Sequence, residues 1–503
     1  MVYGGVEHMA KKKIVIIGGG IAGLCACLKL SHQGYEVTLL EKENQVGGKI
    51  RTVSAGSSVI DSGPTVFTMR WVFEELFREC DESFSQYIST TPLPVLARHF
   101  WGKDQLDLFA DHHLSAKAIE EFSGKKQADL FLEFCRVSKK VYESLETPYI
   151  RANRPTLPSM MSQLGLSGTK ALISIGPFKS LWKSLEKFFP DPRLQQLFGR
   201  YATYCGSSPF LAPATLMLIA HVEMAGVWSI QQGMTQLPQT IAQLAKSRGA
   251  SILCDTEVKK ILLSDNTISQ VELSTGEILH ADAVIFNGDI AALRSGLLGN
   301  PIQSATPPMP TIPSLSAITW SVEAPSNQFN LSHHNVFFDQ NYASEFTDIF
   351  SQHQLPKRPT VYLCAQSRIH TEQIDQSTEK YLLLVNAPAN GHQPQSSKEI
   401  ESCQQHVFQL LGKSGFQINP SKWQMVRTTP QDFHQLFPAT GGALYGMATH
   451  GWMSSFQRPS STSNIKNLFL AGGSVHPGPG VPMAALSGRL AAATLMDHLP
   501  LTS

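Results

Sequence analysis

The chain has 503 residues, 42% of them hydrophobic and 16% charged, with a net charge of +1. That length allows about three domains, or two with one large, and a balance so near neutral gives no electrostatic case for nucleic acid as a partner. No run of about eighteen apolar residues occurs, which excludes a spanning helix and leaves only peripheral contact with a membrane.

The first residues, MVYGGVEHMAKKK, carry no apolar stretch before the basic run, so no secretory signal is expected, and Met9 is a possible start. Ile14 to Ile17 then form a short, wholly apolar strand, as expected for the buried centre of a parallel sheet. Gly18-x-Gly20-x-x-Gly23 follows, with Ile21 and Ala22 opening an apolar helix that ends near Gly34. A second strand, Val37 to Leu40, delivers Glu41 and Lys42. Strand, glycine turn, helix, strand and acid in this register are the signature of a dinucleotide site. The turn brings the pyrophosphate to the helix N-terminus, and Glu41 accepts the ribose hydroxyls. An acid at that position argues against NADP but does not separate NAD from FAD. Val46 to Thr52 narrows the choice: Gly47 and Gly48 let the chain pass close to a ligand, while Lys49 and Arg51 suit phosphate.

The eight cysteines are scattered, and the close pair Cys25 and Cys27 reads as packing on the apolar helix. No metal-ligand spacing is present, and the adjacent histidines 112–113 and 333–334 lack partners at zinc spacing. Such thiols suit a reducing, cytoplasmic compartment. Lys170 to Phe189 is a basic amphipathic stretch. Leu172, Ile173, Ile175, Phe178, Leu181, Trp182, Leu185, Phe188 and Phe189 are at mostly helical spacing, with Lys170, Lys179, Lys183 and Lys187 facing away. It fits either a lipid interface or an ordinary surface helix. His221 and Glu223 lie one residue apart; on a strand they would share a face, on a helix they would point apart.

Residues 251–289 read as three alternating strands separated by turns at Asp265-Asn266 and Thr275-Gly276. The stretches 301–314 and 387–397 carry the proline, glycine and serine expected at domain junctions. Near the C-terminus an apolar strand, Leu468 to Ala471, runs into Gly472-Gly473. A second glycine/proline cluster follows, with Pro482 and Met483 opening an alanine-rich helix. Two phosphate-type turns at opposite ends of the chain favour one long cofactor, FAD, held by both.

Gly18 to Gly23, Glu41, Gly47-Gly48 and Arg51 resemble the flavin oxidoreductases of the amine oxidase and carotenoid desaturase superfamily. Asp61 to Phe77, which contains Gly63, Pro64 and Thr65, is most similar to the 1-hydroxycarotenoid 3,4-desaturases among the bacterial phytoene desaturase type. Tyr201 to Trp228, Gly441 to Pro459 and Ala471 to Leu490 fit that subgroup as well. The resemblance implies an α/β (α+β) fold: a Rossmann-like FAD domain of the glutathione reductase/amine oxidase type with an interleaved substrate domain. The FAD domain would take residues 11–84, 226–299 and 436–500, and the substrate domain residues 85–225 and 300–435. It also places Val258 against the adenine. The implied function is FAD-dependent desaturation of a C–C bond of an acyclic, 1-hydroxylated carotenoid by hydride transfer to flavin, with oxygen or a membrane quinone as electron acceptor, at the inner face of the cell membrane. Catalytic residues stay unassigned, with His221 and Glu223 as candidates near the tunnel. Three alternatives remain: a phytoene desaturase, an amine or protoporphyrinogen oxidase, and a flavin-free lipid carrier like the Rab GDP dissociation inhibitors. Gly473-Ser474 offers no cysteine for the covalent flavin of many amine oxidases, so non-covalent FAD is expected. Intact Glu41, Gly47-Gly48 and Gly472-Gly473 argue against the carrier.

Overall fold

The computed structural model describes residues 12–501 apart from 154–155, 157, 161, 164–175, 177–178, 309–311, 369–376 and 394. Its centre is a five-stranded sheet in the order Leu468–Leu470, Ala283–Phe286, Lys13–Ile17, Glu36–Leu40, Ser251–Leu253. All neighbouring pairs are parallel. Both faces are covered, which is why these strands read as continuous apolar runs rather than alternating ones. Ile14 and Ile16 pack with the helices on one side, while Val15 and Ile17 pack on the other. There they meet a small antiparallel sheet, Val258–Ser264, Thr267–Leu273 and Ile278–His280. Its first turn uses Asp265 and Asn266, both at positive φ, as a tight hairpin requires.

The two ends of the chain meet in the helix layer. The Ile21–His32 helix crosses the Val481–His498 helix so closely that a Cβ on Gly488 would stand 2.0 Å from the Ala22 carbonyl oxygen. Cys25 and Cys27 are buried in this layer, as their spacing suggested.

A second sheet has seven strands, in the order Gln424–Thr428, Ser316–Pro325, Thr378–Ala387, Val361–Ala365, His334–Phe337, Val95–Trp101, Asp104–Phe109. One face, with Trp320, Val322 and Leu363, packs on the Ser397–Lys413 helix. On the other face Thr319, Leu384 and Tyr362 are register partners in one row, all lining the same cavity. A helical layer drawn from residues 112–150 and 181–224 closes over it. Much of the amphipathic stretch, including Lys170, Leu172, Ile173, Ile175 and Phe178, lies outside the described residues. Its second half forms the Leu181–Phe188 helix, with Leu181 and Leu185 buried and Lys183 and Lys187 exposed. Trp182 packs against Phe210 at 4.5 Å between ring centroids. Among the described residues no helix is long and apolar enough to cross a membrane.

Candidate active site

The apolar strand Lys13–Ile17 ends at a turn that points into a cavity of about 920 Å³, lined by Gly18, Gly20, Ile21 and Ala22. The helix it opens has Gly20 as its N-cap, no side-chain cap and no acid in its first turn. Its first N–H groups are therefore unclaimed by side chains and the positive end of its dipole is uncompensated, which suits an anion. Gly23 lies below the turn, where a Cβ would come 2.3 Å from the Gly18 carbonyl oxygen. Gly47 and Gly48 lie over it: Gly47 N–H donates to Gly19 O at 2.9 Å, and a Cβ on Gly48 would stand 3.1 Å from the Gly20 Cα.

Glu41 reaches the cavity wall from the end of the Glu36–Leu40 strand. Its Oε2 accepts from Gly19 N–H at 2.6 Å and its Oε1 from Glu43 N–H at 3.0 Å. A carboxylate has about four acceptor positions, so it braces the glycine turn and still has capacity for hydroxyls. Lys42 also lines the cavity and donates to Gln435 O at 3.1 Å. Lys49 donates to Leu444 O at 2.5 Å, and burial lowers its pKa from the usual lysine range. Arg51 donates to Thr428 Oγ1 at 2.8 Å and stands over the Phe433 ring. Gly63, Pro64, Thr65 and Val258 complete this wall.

From the far end of the chain come Gly472, Gly473, Pro482 and Met483, all on the same cavity. The Val481–His498 helix likewise starts at a glycine N-cap, Gly480, with no side-chain cap and no acid in its first turn. Two uncapped helix N-termini thus face one space. Two residues that sequence reasoning missed brace these turns, and the first also ties the two together. Asn287, just beyond the Ala283–Phe286 strand, donates from Nδ2 to Gly18 O at 3.0 Å, and its Oδ1 would lie 3.2 Å from a Cβ on Gly472. Arg458, buried, donates to the carbonyls of Gly473 at 3.1 Å, Tyr445 at 3.3 Å and Met447 at 2.8 Å. An Asn-Gly-Asp at a strand end was the available signal for Asn287. Arg458 had none, because its partners are loop carbonyls.

The cavity continues between the seven-stranded sheet and the helical layer, walled by Leu216, Leu218, Leu382 and Leu384 with Tyr204 and Tyr362 among them. Glu223 faces it, but its carboxylate accepts from Tyr201 Oη at 2.7 Å and Tyr204 Oη at 2.6 Å, and burial raises its pKa. His221 does not face this cavity: both residues sit on the Leu218–Met224 helix and diverge, as helical spacing requires. His221 instead lines a separate cleft with Arg70, Glu74 and Arg151, its ring 5.1 Å from Tyr142. Its candidacy as a tunnel residue is corrected accordingly.

His333 and His334 acquire a neighbour that spacing could not reveal. Cys364, opposite His334 across two strands, brings three ligand atoms within 4.8 Å. His333 Nδ1 is bonded to Ala365 O and His334 Nδ1 to Tyr362 Oη, while burial pushes the Cys364 thiol up to about 12. A closed zinc site takes four ligands, and this buried trio supplies three.

Residues 21–496 match the family model of flavin containing amine oxidoreductases. The chain belongs to this family. This flavin oxidoreductase is 52% identical over 501 residues to a hydroxyneurosporene desaturase of Rubrivivax gelatinosus, covering 99% of the chain and 95% of the relative. It is 31% identical to a 1-hydroxycarotenoid 3,4-desaturase of Flavobacterium sp., across 98% and 100% of the two chains. Putrescine oxidase bound to putrescine superposes with a TM-score of 0.63 over 97% of the chain and 99% of its own, at 13% identity, a likeness of fold.

The residues present fit a flavin. The two uncapped helix starts, with the bulk-free strip from Gly18 to Gly48, make a cradle that a Cβ at Gly23 or Gly48 would disturb. Lys49, Arg51 and Arg458 bring positive charge to it, and Glu41 brings an acceptor.

Proposed function

We propose that this flavin oxidoreductase holds FAD without a covalent bond and desaturates a carbon–carbon bond of an acyclic, 1-hydroxylated carotenoid. The observation that carries the reading is 52% identity to a hydroxyneurosporene desaturase along nearly the whole of both chains. FAD rather than a shorter nucleotide suits two phosphate-type turns converging on one cavity. Glu41 would bind the ribose, Gly18, Gly20 and Gly472-Gly473 the phosphates, and Val258 the adenine. Lys49, Gly63 to Thr65, Pro482 and Met483 would frame the ring. Non-covalent binding is supported by Gly473-Ser474, where no cysteine stands, and by Cys205, a cavity thiol that burial pushes up to about 11.

Flavin supplies a two-electron acceptor for a C–H bond that no side chain can oxidise. The chain supplies the rest: leucine walls position the polyene and exclude water, and the sheet row of Thr319, Leu384 and Tyr362 fixes its lateral position. Positive charge left on a conjugated chain is delocalised, so proton loss needs no strong base; Glu223, already engaged by two tyrosines, is not required to act as one. Residues 11–84, 226–299 and 436–500 would hold the cofactor and 85–225 with 300–435 the substrate. Substrate would enter from a membrane contacted peripherally on its inner face, with oxygen or a membrane quinone taking the electrons.

Single turnover without oxygen tests this. The pure yellow protein mixed with a 1-hydroxylated acyclic polyene should lose its visible flavin band as a product two hydrogens lighter forms. A band that persists while substrate stays unchanged would refute the reading.

A further inference from the structure

We infer that Arg200 recognises the oxygen on carbon 1 of the substrate and sets the preference for hydroxylated polyenes. This deepens the functional reading above and rests on it. Arg200 lines the cavity from the short turn Arg200–Cys205. Its guanidinium lies 5.4 Å from the Tyr204 ring centroid and 5.3 Å from that of Tyr362, so two aromatic faces hold the charge. Among the described residues it makes one hydrogen bond, Nη1 donating to Tyr204 Oη at 3.2 Å. A guanidinium has five N–H donors and no acceptor. Glu223, the nearby acid, accepts from Tyr201 and Tyr204 and not from the arginine. A cation with most of its donors uncommitted therefore opens onto the cavity, where donors left without acceptors once an apolar chain displaces water are costly. An oxygen carried in by the ligand answers that need.

Position supports the assignment. If carbons 3 and 4 react, an oxygen on carbon 1 is no more than about 5 Å from them, given C–C bonds of about 1.5 Å. Its anchor must stand beside the reacting bond. Thr65, in the turn assigned to the flavin, is hydrogen-bonded to Tyr362 Oη at 2.6 Å, and Arg200 stands over that tyrosine's ring. One aromatic ring separates the anchor from the flavin wall.

The test uses flavin-loaded wild type, Arg200→Met and Arg200→Lys, each with acyclic polyenes that differ only in the carbon-1 hydroxyl. The readout is the ratio of kcat/KM for the hydroxylated over the plain polyene. Wild type should favour the hydroxylated one by about ten- to hundredfold, the worth of a hydrogen bond to a charged group, and Arg200→Met should shrink the ratio at least about tenfold. Arg200→Lys, which keeps charge but not the planar fork, should fall between. A ratio unchanged in Arg200→Met, or both substrates losing activity in proportion, overturns the inference. If Arg200→Met does not retain flavin, Arg200→Lys decides: a ratio equal to wild type overturns the inference. Wild type turning over both polyenes equally would also overturn it while leaving the desaturase reading intact, and no turnover of either would overturn both.

Discussion

Asn287 joins the two ends of the chain, bonding the Gly18 carbonyl and facing Gly472. Asn287→Ala should therefore raise the flavin dissociation constant about tenfold, the worth of one or so neutral hydrogen bonds, while the fold persists. Fluorescence titration of the apoprotein measures this, and an unchanged constant would contradict the role. Glu41→Ala should be worse, about ten- to hundredfold, because charge-assisted bonds are worth about 1.5–3 kcal/mol. Full flavin occupancy after dialysis would remove Glu41 as the ribose ligand. The two residues also mark what a sequence reveals. Glu41 was legible because strand, turn and helix fix its spacing from the glycines. That it also braces Gly19 N–H was not, nor was the role of Asn287, whose partner comes from a distant segment, nor that of Arg458, whose partners are loop carbonyls.

Helix against helix, the decisive contact is Gly488 on the Ala22 carbonyl. Gly488→Ala must push the two helices apart, and with them the glycine turns that each helix begins. Overpacking of this kind costs about 1–3 kcal/mol, so a lower Tm and looser flavin are both expected from one methyl group. Normal melting with normal flavin retention would mean that the helices shift at no cost. Elements with strong local signals were legible: the first strand–turn–helix, the antiparallel meander and the C-terminal strand and helix. The Leu218–Met224 helix was not, since a short apolar run fits strand or helix equally. On that choice depended whether His221 and Glu223 shared a site.

Across the whole molecule, burial holds His99, His333 and His476 neutral, with pKa values lowered from the ordinary 6.5 to about 3, 4 and 4. As pH falls below about 6.5 the unfolded chain takes up protons at these sites and the folded one does not. Stability is thus full above that pH and is lost progressively toward pH 4, by up to about 1.4 kcal/mol per group per pH unit. Thermal melting from pH 7.5 to 4.5 should show Tm falling across this window; a flat profile would mean that the histidines charge in place. The seven-stranded sheet was hardest to foresee, because its strands come from residues 95–109 and 316–428 and pair across long separations. Pigment analysis of three hosts expressing the protein, making phytoene, neurosporene or 1-hydroxyneurosporene, tests the central claim most directly. The account predicts a product two hydrogens lighter in the 1-hydroxyneurosporene host and little change in the others. A phytoene host turning red through stepwise desaturation to lycopene would contradict it.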